Sequence, residues 1–62
     1  MGCKLYVDEN STIAAYSLEQ ARRLAVPHMR NRKAIKIEIC IASLPTQLWA
    51  YDYDIKSWIL LR

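Results

Sequence analysis

The side chains of this 62-residue chain that could ligate a metal or act as a nucleophile are few and far apart. His28 is the single histidine and lies in a basic stretch, and the two cysteines, Cys3 and Cys40, do not have the spacing of a ligand pair. A zinc site needs about four nitrogen or sulfur ligands, and nucleophilic catalysis needs a nucleophile, a base and an orienting group. We therefore expect no metal, no cofactor and no enzyme activity.

Two carboxylates near the C-terminus are the remaining candidates for chemistry. Asp52 and Asp54 are two residues apart, so on a strand they would share one face and could approach a divalent cation. Hard cations take more oxygen ligands than these two side chains supply. We interpret both carboxylates as solvated charges beside a hairpin turn.

The cysteines and the apolar runs bear on the compartment. Cys3 and Cys40 both fall in strand-like stretches, and the N-terminus lacks the apolar segment of a secretory signal. No apolar run approaches the roughly 18 residues that a transmembrane helix needs. We expect two buried thiols in a reducing cytoplasm, without a disulfide and without membrane association.

The basic residues are concentrated in one block of the sequence. The net charge is +3, and residues 22–36 contain six basic side chains and no acidic one. Charge of one sign attracts nucleic acid or an acidic protein surface, and part of it would also stabilise the negative end of a helix. We predict that this block binds a partner through Arg22, Arg23, Arg30, Arg32, Lys33 and Lys36.

The hydrophobic patterning predicts a single α+β domain over residues 1–62. Its antiparallel sheet has four to five strands, in the order β(β)αβββ, and one helix packs on one face. Residues 12–16 are either a second strand or an irregular lead-in to the helix, after a turn at residues 9–11. Alternating apolar residues predict the other strands, at 3–8, 34–42, 48–53 and 57–61.

The sequence predicts where the helix begins more clearly than where it ends. Ser17 and Gln20 form a capping box, and Glu19 and Arg23 form an i,i+4 ion pair. Pro27 costs a helix about 3 kcal/mol because it removes a hydrogen bond and clashes with the preceding turn, so we expect a stop or a kink near Ala25 or Val26. The apolar stripe that would face the sheet consists of Leu18, Ala21, Leu24 and Ala25.

Four aromatic residues of the last two strands have two readings. Exposed aromatic side chains on a sheet can stack on nucleic-acid bases. A domain this small, however, needs its aromatic residues in the core. We predict that the set of Trp49, Tyr51 and Tyr53, with Trp58 on the neighbouring strand, packs in the core. The first three would continue the face of four isoleucines on strand 34–42 beneath the helix.

Two segments carry a resemblance to a known family. Residues 15–25, with a Ser/Leu start followed by Ala-Arg-Arg and a further alanine, resemble the helix of very small phage-encoded anti-CRISPR proteins of β-α-β-β type. Residues 49–51 and 56–59 are similar to the last hairpin of that family, and together the segments cover roughly a third to a half of the chain. The resemblance implies a protein of the bacterial host cytoplasm that docks on a CRISPR surveillance complex and blocks its action on target DNA.

These observations lead to one functional hypothesis and two alternatives. The leading hypothesis is a small phage or mobile-element protein that binds and inhibits a host protein or ribonucleoprotein complex through the basic block. The first alternative is a nucleic-acid-binding module that places residues 22–36 on phosphates. The second is a dimeric structural or regulatory domain that pairs through the apolar edge strand at 57–61.

Overall fold

The structure, a computed structural model, describes residues 2–8 and 11–62 and confirms the α+β fold. One helix packs on a five-stranded antiparallel sheet whose spatial order is β2-β1-β3-β4-β5. Along the chain the elements are β1 (Gly2–Val7), β2 (Ser11–Ala15), α1 (Leu18–Met29), β3 (Ile35–Cys40), β4 (Gln47–Asp52) and β5 (Ser57–Leu60).

The core is formed by alternate residues of the two central strands. On β1 and β3, Leu5 lies directly opposite Ile37, and neither side chain is exposed. Burying a leucine or isoleucine side chain contributes about 1.5–3 kcal/mol, which is substantial for a domain of this size. Residues of the same alternation on both strands and two alanines of the helix complete the buried cluster: Cys3, Val7, Ala21, Ala25, Ile35 and Ile39.

The stretch that the sequence left undecided between strand and irregular backbone is a strand. Ser11 to Ala15 form β2, which pairs antiparallel with β1 and places Ile13 opposite Leu5. Ile13 is half-buried against the core, so it adds apolar contact area to the strand pairing. Of the predicted turn at residues 9–11, residues 9 and 10 lie outside the described residues, and Ser11 is the first residue of β2.

The start of the helix follows the predicted capping pattern, with one difference. The Ser17 hydroxyl accepts a hydrogen bond from the Gln20 backbone N–H at 3.1 Å, and Glu19 pairs with Arg23 at 2.7 Å. The Gln20 side chain reaches back to the Tyr16 N–H at 2.6 Å, one residue before the cap. Two donors at the helix start are thereby satisfied.

Of the predicted stop or kink near Ala25 or Val26, the stop is wrong. α1 continues through Pro27 to Met29 instead of stopping near Ala25. Pro27 is exposed, so the carbonyl of Arg23 that loses its helical donor can be hydrated instead. Met29 packs against the core two residues further on, and this burial offsets part of the cost of the proline.

The last three strands form the predicted meander, although β3 is shorter than the sequence pattern suggested. It spans Ile35–Cys40, so only three of its four isoleucines are buried, and Ile41 lies beyond its end with 36% of its surface exposed. The last turn contains no glycine, and Lys56 adopts the left-handed backbone conformation there (φ 54°). The Asp52 carboxylate accepts the Asp54 N–H at 2.8 Å and closes the start of this turn.

The two cysteines differ in exposure, which corrects the expectation of two buried thiols. Cys3 is buried beneath the helix, whereas Cys40 is exposed. Cys40 on β3 is paired with Gly2, the residue before Cys3 on β1. Because successive side chains of a strand point to opposite sides of the sheet, the two thiols lie on opposite sides. Burial raises the pKa of the Cys3 thiol, and the nearby Cys40 raises it further.

The position of the helix over the sheet determines which surface is left open. α1 approaches β1, β2 and β3, and it makes no close backbone approach to β4 or β5. The hairpin of β4 and β5 therefore extends beyond the layer that the helix covers. The molecule is correspondingly elongated, with principal extents of 35 × 21 × 20 Å.

Candidate partner-binding surface

The β4–β5 hairpin has two sides that differ in what covers them. Register places Trp49 opposite Ile37 and Leu60, and Tyr51 opposite Trp58. These side chains lie on the same side of the sheet as the core, which we call the helix side. The opposite side, which no element of the described chain covers, is the open side.

Aromatic rings on the helix side form a connected row, the aromatic ladder, which consists of Trp49, Tyr51, Tyr53 and Trp58. The Tyr51 ring meets the Tyr53 ring edge to face at 5.0 Å and the Trp58 ring edge to face at 5.3 Å between centroids. Edge-to-face pairs of this kind add about 0.5–1.5 kcal/mol beyond their buried area. All four residues are half-buried.

The prediction for these aromatic residues is right in one respect and wrong in another. They do continue the isoleucine face, since Trp49 is paired with Ile37, and Trp49, Tyr51 and Trp58 pack against the edge of the core. They do not lie beneath the helix, because α1 ends its coverage at β3. Side chains, not backbone layers, shield them from water.

The side chain that shields the two tryptophans is Arg22. Its guanidinium carbon lies 5.7 Å from the centroid of the Trp49 ring and 5.9 Å from that of the Trp58 ring. Its Nε is buried without a hydrogen-bond partner. A cation over tryptophan rings gains about 0.5–2 kcal/mol, more as water is excluded, so the rings hold Arg22 in place.

A second guanidinium covers the other end of the ladder. The Arg32 guanidinium carbon lies 5.2 Å from the centroid of the Tyr53 ring, and the Tyr53 hydroxyl donates to the Lys33 carbonyl at 2.5 Å. Burial raises the pKa of the Tyr53 phenol, with further increases from Tyr51 and Asp8 that Arg32 partly opposes. The α1–β3 loop is thereby tied to the hairpin.

The six basic residues predicted to form one block are placed in three separate locations. Arg22 and Arg23 lie on α1, but Arg22 is half-buried over the tryptophans while Arg23 is exposed and paired with Glu19. Lys36 is exposed on the open side, opposite Ala50. The α1–β3 loop brings the remaining three together: Arg30, Arg32 and Lys33. The block in the sequence is therefore not one patch in space.

The open side changes character from one half of the sheet to the other. Over β1 and β3 it is polar, and the Tyr6 hydroxyl there donates to Glu38 at 3.2 Å. Over β4 and β5 it is apolar, with Ala50 opposite Ile59 and Leu48 beside Leu61. A shallow groove of about 420 Å³ at the hairpin end is lined by Arg32, Ala50, Tyr51, Asp52, Tyr53, Asp54, Ile59 and Leu61.

Residues suited to metal or acid–base chemistry are dispersed in the described part of the chain. Among residues 2–8 and 11–62, no group of three or more histidine, cysteine or acidic side chains lies close enough to hold a metal ion. Asp52 is engaged with the backbone of its own turn. The arrangement is suited to contact with another molecule through apolar and guanidinium groups.

Comparisons with protein-family models, with curated proteins and with solved structures found no match to this chain. Residues 2–8 and 11–62 contain one helix, α1, which has 12 residues. It is not long and apolar enough to cross a membrane.

Two contributors to this surface were not among the predicted site residues. Leu60 is 47% exposed on the helix side beside Trp49, and Leu61 is 52% exposed on the open side. The sequence contained part of the signal, because the apolar run at 58–61 was too long for a strand with one solvated side. The tryptophans were noticed but were assigned to the core.

Proposed function

We propose that this protein acts by binding another protein through the β4–β5 hairpin. The observation that carries the proposal is that the helix backbone stops short of this hairpin, where guanidinium groups lie over three of the four rings of the aromatic ladder. Apolar side chains are exposed on both sides of it, among them Leu60 and Leu61. Exposed apolar side chains that are grouped together and rimmed by polar groups are typical of protein interfaces.

The composition and the size of the surface support a protein partner. Tryptophan, tyrosine and arginine are the residues most enriched at the energetic centres of interfaces, and the hairpin end combines all three. An interface of standard size buries roughly 800 Å² on each partner, which is about a sixth of the 4513 Å² that this domain exposes.

In its specific form, the proposal is that the protein is a small phage or mobile-element inhibitor of a host protein complex, such as a CRISPR surveillance complex. A non-enzymatic inhibitor needs a stable surface and no catalytic group, and the dispersed titratable residues are consistent with that requirement. Occupying a functional surface of the target would suffice for inhibition. The resemblance of residues 15–25 and 49–59 to small anti-CRISPR proteins motivates the choice of target.

The nucleic-acid alternative has less support from the geometry. A phosphate-binding strip needs its cations on one side, whereas Lys36 and Arg22 lie on opposite sides of the sheet. Base stacking needs free ring faces, whereas Arg22 covers Trp49 and Trp58, and Arg32 covers Tyr53. A base would have to displace these guanidinium groups before it could stack.

The test is affinity capture from bacterial lysate with and without nuclease, using matched serine variants. Leu60→Ser removes an exposed apolar side chain from the hairpin, and Val26→Ser removes one from the solvent side of α1; the two residues are 47% and 48% exposed. We expect a nuclease-resistant protein that Leu60→Ser captures about fivefold less well, since a contributing interface residue is worth about 1 kcal/mol or more. Val26→Ser should capture it as the wild type does.

Three results would count against the proposal. Loss of all captured protein after nuclease treatment would favour the nucleic-acid-binding module over the protein-binding inhibitor. Equal capture by the Leu60 and Val26 variants would place the interface elsewhere on the molecule. A captured protein that is only a second copy of this chain would favour the dimer, which measurement of the solution mass would establish independently.

A further inference from the structure

The structure assigns a specific role to Arg22: we propose that it is the anchor for a carboxylate of an acidic protein segment that lies on the tryptophan end of the hairpin. This inference rests on the proposed function and names the chemistry of the partner. The site, which we call the Arg22 ledge, consists of Arg22, Trp49, Trp58 and Leu60.

Arg22 is charged, held in position and without an ion-pair or hydrogen-bond partner among the described residues. Within the described ranges, the single ion pair joins Arg23 to Glu19, and no hydrogen bond engages the Arg22 side chain. Its Nε is buried without a partner. The two terminal Nη groups also lack a partner but are not among the buried atoms, so they reach the surface. A partly desolvated guanidinium without acceptors bears a cost that a carboxylate would relieve.

The geometry of the Arg22 guanidinium also suits a carboxylate. Arginine binds a carboxylate through two parallel N–H donors, and the gain is largest when the guanidinium plane is already held. Contacts at 5.7 Å and 5.9 Å with the rings of Trp49 and Trp58 hold it from beneath. Because Nε is buried, the free edge is the one formed by the two Nη groups. A carboxylate would therefore approach end-on.

The surroundings of the Arg22 guanidinium suit an acidic protein better than a nucleic acid. Leu60, which is 47% exposed and directly opposite Trp49, adds an apolar contact next to the guanidinium. An acidic side chain flanked by an apolar one satisfies both groups. Nucleic-acid bases would need the ring faces that Arg22 already covers. The net charge of +3 also attracts an acidic surface from a distance.

The test uses NMR titration of the intact protein with hexaglutamate as the probe, hexaglutamine as its neutral control, and a ten-nucleotide thymidine strand as the nucleic-acid control. The Arg22 Nε–H is buried, so its signal should exchange slowly and be observable at neutral pH. We expect hexaglutamate to shift this signal together with both tryptophan indole signals, and hexaglutamine to shift none of them. This arm requires no variant and is independent of effects on folding.

The matched variants are Arg22→Lys and Arg23→Lys. Both conserve the net charge and lie on the same helix, but only Arg22 is stacked on the tryptophans, and Arg23 is ion-paired at the surface. We expect Arg22→Lys to weaken hexaglutamate binding about threefold or more, because lysine cannot form the held, two-donor contact. Arg23→Lys should change it less than about twofold, since a solvent-exposed ion pair contributes little.

Failure of this inference can be distinguished from failure of the proposed function. If lysate capture depends on Leu60 while hexaglutamate shifts nothing at the Arg22 ledge, protein binding stands and the acidic partner is refuted. If the thymidine strand shifts the same signals at lower concentration than hexaglutamate does, the inference is overturned in favour of phosphate. Equal effects of the two lysine variants would show that general attraction, and not the held guanidinium, binds the probe.

Discussion

Replacement of Pro27 by alanine should stabilise the protein, because the helix passes through this position without the hydrogen bond that proline cannot donate. Proline is about 3 kcal/mol less favourable than alanine inside a helix. Pro27 is exposed and only two helical residues follow it, so we expect a gain of about 2 kcal/mol. For a domain of this length, 1 kcal/mol corresponds to roughly 4–8 °C in Tm, which predicts a rise of about 8–16 °C.

The measurement is thermal unfolding followed by circular dichroism at a helical wavelength. Val26→Ala is the control, since Val26 is the exposed neighbour of Pro27 on the same helix, and its substitution should change stability by no more than about 0.5 kcal/mol. A Tm that is unchanged or lower in Pro27→Ala would refute the reasoning. It would mean that in solution the helix ends before Pro27, as the sequence alone suggested.

Two further predictions concern titratable groups. With a thiol reagent at about pH 8, Cys40 should react rapidly and Cys3 only as the protein unfolds, because Cys3 is buried and its pKa is raised. The Cys40→Ser variant should lose the fast phase of the reaction. Two rapidly reacting thiols in the wild type would contradict the buried position of Cys3. Because the pKa of Tyr53 is raised in the folded protein, the phenol loses its proton at lower pH in the unfolded chain than in the folded one. The contribution of Tyr53 to the free energy of unfolding is therefore fully present below about pH 10 and is lost as pH rises through the folded pKa. The stability advantage of wild type over Tyr53→Phe, measured by urea unfolding, should therefore shrink at alkaline pH, and a constant difference would contradict the assignment.

The elements that the sequence predicted well were those with a strong local signal. The capping box at Ser17 places its hydroxyl and the Gln20 amide within one turn, so no long-range information was needed. The alternation on β1 and β3 likewise predicted which side of each strand would be buried. The undecided stretch was residues 12–16, and the strand observed there, Ser11–Ala15, depends on pairing with β1. Pairing partners are not visible in local sequence.

The two errors have different causes. Pro27 is a genuine helix breaker by propensity, but packing of Met29 against the core keeps the last turn in place, so tertiary packing outweighs a local preference. Cys40 lies in an apolar strand and was expected to be buried, but the alternation along β3 puts it on the open side, where it is exposed. That second error could have been avoided from the sequence alone.

The predicted partner-binding block of six basic residues shows a related limit of reasoning from local sequence. A run of basic residues in sequence suggested one patch, yet helical and strand geometry separate its members. Adjacent residues of a helix point about 100° apart, so Arg22 turns toward the sheet while Arg23 faces solvent. Lys36, on the strand after the loop, falls on the opposite side of the sheet. Charge counting predicts attraction to a partner, but it does not predict a shared surface.

The open hairpin, in contrast, follows from dimensions that the sequence already implied. Five strands spaced by about 4.8 Å span roughly 19 Å, whereas one helix with its side chains is only about 10 Å wide. A single helix therefore covers about half of a five-stranded sheet, and two strands must be left with an incompletely covered face. The order β2-β1-β3-β4-β5 places α1 over the first three, so the uncovered strands are those that carry both tryptophans. Side chains such as Arg22 can cover part of that face, but they cannot replace a second layer, and the proposed partner is the molecule that would supply this layer.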